Sequence, residues 1–115
     1  MLLIACSTKD EQYYRTHPKA LKEAIKNCPA KQPSQLSCDQ LAMIDSTVND
    51  LAYQLQISPL AFGKKILVLQ ESLAKQQSDL KANPNQFELK QTIEKNKQQL
   101  AECLAIVRWL ESPES

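Results

Sequence analysis

The sequence predicts an all-α protein: a small antiparallel helical bundle of three long helices, with a shorter helix at the N-terminus. Three observations carry this expectation. The 115 residues include a single glycine, and Leu, Ala, Lys, Gln and Glu are abundant, the residues that lose least on entering a helix. The Val, Tyr, Phe, Trp and Thr that several strands would require are few and scattered. Apolar residues also recur at spacings of three and four over long stretches, which places them on one side of a helix. The length fits one domain around one core.

Each element follows from local signals. Asp10 to Thr16 reads as a short helical segment bearing Tyr13 and Tyr14. Pro18 restarts the helix at its first position, where a missing N–H costs nothing. Leu21, Ala24, Ile25 and Cys28 then share a face, and Pro29 ends the segment at or before Cys28. Pro29 to Pro33 is a linker. Ser37 with Gln40 three residues on reads as a capping box. It opens a helix striped by Leu41, Ile44, Val48, Leu51 and Leu55. Ser58-Pro59 starts the next helix, which buries Phe62, Ile66, Leu69 and Leu73, and Asn83-Pro84-Asn85 breaks it. The last helix carries Leu89, Ile93, Leu100, Cys103, Leu104, Val107 and Leu110, and Ser112-Pro113 stops it. Leu69 and Leu104 are expected in the core and Lys95 on the outside. Gln76 and Asn96 interrupt the stripes of facing helices, either as a buried polar pair or where the hairpin opens to water. Short connections should fold these helices antiparallel at the shallow crossing angle of coiled coils.

Composition excludes several function classes. The formal net charge is +1, with Lys and Arg interspersed among Asp and Glu, so no nucleic-acid surface is expected. No apolar run approaches the roughly 18 residues of a membrane span. The four cysteines show no C-x-x-C spacing and His17 is the sole histidine, so no metal site is expected. His17 itself is explained by its place before Pro18. Neither a nucleophile with a base nor a phosphate-binding glycine loop is present. The expectation is a protein that is not an enzyme and takes no cofactor.

The first residues point to the envelope. Leu3-Ile4-Ala5-Cys6 resembles the lipobox of bacterial lipoproteins, with a small residue before a cysteine that receives lipid and polar Ser7 after it. Residues 1–6 are read as the remnant of that signal and 7–115 as one helical domain. Leu2 to Ala5 fall short of the about 7–15 apolar residues of a full signal, so the natural start is expected upstream. Lipid on Cys6 would hold the protein at a membrane, with Ser7 favouring the outer one, facing the periplasm or the surface. Disulfides persist there. If Cys6 instead carries no lipid, residues 2–4 are an apolar tail on the bundle.

Cys28 closes one helix and Cys38 opens the next across the proline-containing linker, so they are expected to pair, with Cys103 a free, buried thiol. Pairing the last two helices about Asn83–Asn85 sets Cys103 opposite Ile66 and level with Val48 or Asn49. That is roughly 15 Å along the helix from Cys38. Because the docking site of the segment bearing Cys28 is not legible, Cys28–Cys103 remains the alternative pairing.

Residues 6–42 resemble the entry-exclusion lipoproteins of conjugative plasmids. The resemblance rests on Asp10-Glu11-Gln12-Tyr13-Tyr14-Arg15-Thr16-His17-Pro18, the basic amphipathic stretch from Leu21 to Cys28, and Cys38 with Leu41. It implies lipid on Cys6 and a family motif of Tyr13, Tyr14, His17 and Pro18. It also implies a function exerted by contact with conjugative machinery, blocking redundant transfer into the host cell. Residues 37–112, the expected three-helix bundle, extend beyond the resemblance. The alternative is an adaptor bundle that serves a secretion system, or a cytoplasmic chaperone-like bundle if Cys6 is unmodified. In each case the expected partner is a protein.

Overall fold

A computed structural model describes residues 9–28 and 36–111, and all five of its helices fall where local chemistry starts and stops them. Helix α1 spans Lys9–Arg15 and helix α2 spans Pro18–Lys26. The Thr16 hydroxyl donates to the carbonyls of Gln12 and Tyr13 at 3.0 and 3.2 Å, satisfying groups that the end of α1 leaves free. Pro18 then occupies the first turn of α2, as expected.

Helix α3, Cys38–Ile57, opens with the capping box. Ser37 Oγ accepts from the Gln40 backbone N–H at 3.1 Å, and Gln40 Oε1 accepts from the Ser37 N–H at 2.7 Å. A cap of this kind contributes about 1 kcal/mol. Ser58 alone separates α3 from α4, Pro59–Ala82, and its hydroxyl accepts from the Ala61 N–H. Helix α5, Phe87–Glu111, runs back along α4 after the break at Asn83-Pro84. The molecule is thus an all-α antiparallel bundle. Two short helices stand at its N-terminal end, divided where Pro18 was expected to restart the helix.

The core occupies one end of this bundle. It joins Tyr14, Leu21, Ala24 and Leu36 to Leu41, Ile44, Val48 and Ala52 of α3, then to Phe62, Cys103 and Ile106. Ile66 and Leu69 are half-buried at its margin, with Leu51, Leu55, Val107 and Leu110. It reaches no further along α4 than Leu69 and takes α5 only from Cys103 onward. Beyond it α4 and α5 continue as a two-helix arm, sealed by Leu73 and Ile93. In the arm Asn96 Nδ2 donates to Gln76 Oε1 at 3.0 Å, so the two interrupting residues form a partly buried polar pair. A radius of gyration of 15.9 Å, against about 13 Å for a compact chain of this length, fits an arm that projects from its core.

One expectation about the core fails. Leu104 was placed in the α5 stripe, yet it is 40% exposed, whereas Ala105 and Ile106 are buried. Helix α5 meets α2 and α3 as well as α4, and its residues join the core from Cys103 onward. The contact with α2 and α3 swings the buried arc towards Ile106 and away from Leu104. Lys95 is exposed, as expected.

Candidate functional site

Tyr13, Tyr14, His17 and Pro18 lie at the corner between α1 and α2, and the corner gives each a different place. Tyr14 turns inward and is buried in the core. Tyr13, one residue earlier, turns outward and is half exposed. Its ring stacks on His17, with centroids 4.0 Å apart and planes inclined by 15°, and meets Tyr14 edge-on at 5.4 Å. The stack is local, between Tyr13 in the last turn of α1 and His17, the N-cap residue of α2, across the corner that joins the two helices. His17 Nδ1 lies 2.6 Å from the Tyr13 carbonyl. A carbonyl only accepts, so Nδ1 carries the proton and donates it, which leaves Nε2 as the acceptor of the neutral ring. His17 therefore locks the corner, while Pro18 beside it is buried.

The stacked pair forms one wall of an open groove of about 360 Å³, within the range of small ligand sites. The opposite wall comes from the far end of the chain: Ala105, Arg108 and Trp109 of α5. Lys19 and Glu23 of α2 also line it. Trp109 is held from behind by Lys22, whose Nζ lies 5.8 Å from its ring centre. The same ammonium donates to Asp45 Oδ1 and Asn49 Oδ1 of α3, both at 2.6 Å, and Asn49 donates to Asp45 Oδ2. Lys22 thus connects α2, α3 and α5 beside the indole, which lines the groove and also packs against the core. Aromatic walls, a guanidinium and a carboxylate are the chemistry of a protein contact, in which Trp, Tyr and Arg commonly anchor binding.

The two cysteines expected to pair are together. The Cys28 and Cys38 sulfurs lie 2.10 Å apart, with Cα atoms 6.1 Å apart, and this pair joins the end of α2 to the start of α3. Cys103 is a free cysteine buried in the core, and burial pushes its thiol above the ordinary value of 9.0. The Lys65 charge acts in the opposite direction, and Glu102 adds to the upward shift. Cys6 and Ser7, with the lipobox reading, lie outside the described residues, as does the Pro29–Pro33 linker. Among the described residues no helix is long and apolar enough to cross a membrane.

Reasoning from the sequence did not single out Trp109, Arg108 or Lys22. One signal was available: Trp109 is the sole tryptophan of the chain and stands in the last turns of an amphipathic helix. What it faces depends on the docking of α2, which local patterns do not encode. Fold and groove together define the class, a small all-α helical bundle with an open groove lined by aromatic and cationic side chains. No known protein family matches the chain, and neither does any curated protein or solved structure.

Proposed function

We propose that the protein is a lipid-anchored envelope protein that acts by protein–protein contact, in the manner of the entry-exclusion lipoproteins of conjugative plasmids. The contact surface in this reading is the groove between the α1–α2 corner and the end of α5. One observation carries the proposal. Tyr13, His17 and Pro18 of the family motif line the same groove as Arg108 and Trp109, which lie outside the segment that resembles the family. A motif that served only as a membrane-proximal spacer would have no reason to form a groove with the far end of the chain. The pairing of Cys28 with Cys38 suits an oxidising compartment. Lipid on Cys6 supplies the anchor, and the partner is a component of the incoming transfer apparatus.

A mating assay tests this. Recipient cells that express the chain with a complete lipoprotein signal placed before Cys6 should receive fewer copies of a conjugative plasmid. Arg108→Ala and Tyr13→Ala, made at exposed positions of the two walls, should restore transfer while the protein stays folded and present in the envelope. Exclusion that survives both substitutions would overturn the groove as the contact surface. Equal incorporation of a fatty-acid analogue by wild type and Cys6→Ala would overturn the anchor.

A further inference from the structure

Helix α4 buries one face and, among the described residues, leaves the opposite one unpartnered. Phe62, Ile66, Leu69 and Leu73 face the core and α5. At 100° per residue the far side of the helix carries Leu60, Lys64, Leu67, Val68, Glu71 and Lys75. Three of these are large apolar residues in water: Leu60 is 73% exposed, Leu67 53% and Val68 58%. Scattered exposed leucines need no explanation, but three along one strip of a rigid helix mark an interaction surface. Among the described residues neither Lys64 nor Glu71 has an ion-pair partner.

We propose that this strip docks a second copy of the chain, α4 against α4, antiparallel about a two-fold axis between Leu67 and Val68. The order of charges selects that occupant and that direction. With the axis there, Leu67 of one copy meets Val68 of the other and forms an apolar centre. Lys64 of each copy then lies opposite Glu71 of its mate, so two complementary pairs flank that centre. Leu60 falls opposite the aliphatic stem of Lys75, which can lie along apolar surface with its ammonium in water. Parallel pairing would instead oppose Lys64 to Lys64 and Glu71 to Glu71, which is unfavourable. A two-fold interface is self-complementary by symmetry, and this strip is complementary to its own reverse. The groove at the α1–α2 corner contributes nothing to the pairing, so this inference stands apart from the proposed function.

Sedimentation equilibrium of the full 115-residue chain tests the proposal, with helical content and melting followed in parallel. Wild type should be a reversible dimer. Lys64→Glu and Glu71→Lys should each raise the dimer dissociation constant more than about tenfold, because each places two like-charge pairs across the interface. The charge-swapped double variant should return to within about threefold of wild type. An equimolar mixture of the two single variants should form heterodimers. Both side chains lie outside the core, so all four proteins should melt alike. A wild-type chain that stays monomeric up to about 1 mM would overturn the proposal. Dimerisation that ignores both charge reversals would overturn it as well.

Discussion

Lys22 Nζ stands 2.6 Å from Asp45 Oδ1, and this contact ties α2 to α3 at the margin of a core that already holds Tyr14, Leu21 and Ala24. Nothing in the periodicity of α2 specifies the partner, yet through Lys22 the helix touches α3 by a charge and α5 by the Trp109 ring. Lys22→Met keeps the stem and removes the ammonium. Because the Lys22 side chain is 37% exposed and that of Asp45 24%, the loss should be about 0.5–1 kcal/mol. Trp109 fluorescence should shift to the red as the indole loses its backing. An unchanged spectrum would show that Lys22 does not hold the ring.

The Cys28–Cys38 pair closes a loop of sequence separation 10, for which chain entropy gives somewhat under about 3 kcal/mol. The Cys28→Ser, Cys38→Ser double variant should lose about that much in urea unfolding. A reductant should destabilise the wild type equally and leave the double variant unchanged. A reductant that acted on both proteins alike would assign the effect to something other than this pair.

Two substitutions two residues apart, on opposite sides of one turn of α5, separate its buried arc from its exposed one. Ile106 is fully buried, so Ile106→Asp places a carboxylate without a partner in the core and should cost several kcal/mol, enough to unfold the domain. Leu104→Asp should cost less than about 1 kcal/mol, because its side chain already meets water. Comparable losses in the two variants would mean that α5 is rotated from the orientation described.

Burial raises the Cys103 thiol above 9.0, and the sign of its pH dependence follows. In the window between the unfolded and the folded value the folded protein holds a proton that the unfolded chain has released. Stability therefore falls as pH rises through that window, and the contribution is complete below about pH 9. Subtracting the stability of Cys103→Ala from that of wild type, pH by pH, isolates the thiol. The difference should be flat up to about pH 9 and decline above it. A difference that stays flat at higher pH would show that the thiol is not desolvated.

Much of the fold was legible because its signals are local. The capping box at Ser37 and Gln40, the Ser58-Pro59 start and the Asn83-Pro84 break act within one helical turn, so residue type and spacing suffice to read them. The same holds for Cys28 and Cys38, which a short linker brings together however the rest of the chain packs. The placement of Gln76 opposite Asn96 was legible too, since folding α5 back on α4 at Asn83 determines which residues face each other. That they share a hydrogen bond was not, because rotamers decide it.

The groove was not legible, and the reason is physical. Its walls belong to α1 and α5, at opposite ends of the chain, and they meet only because α2 lies against both α3 and α5. That choice is a small difference between many alternative packings of similar apolar faces, settled by side-chain shape and by the bonds of Lys22. Burial of Ile106 in place of Leu104 has the same origin, since a periodic stripe marks the half of a helix that can be buried and not the arc that its neighbours cover. The sequence by itself determined the helices, their ends, their antiparallel return and the cysteine pair. The tertiary structure alone decided which faces meet, and so set Trp109 beside Tyr13 and His17.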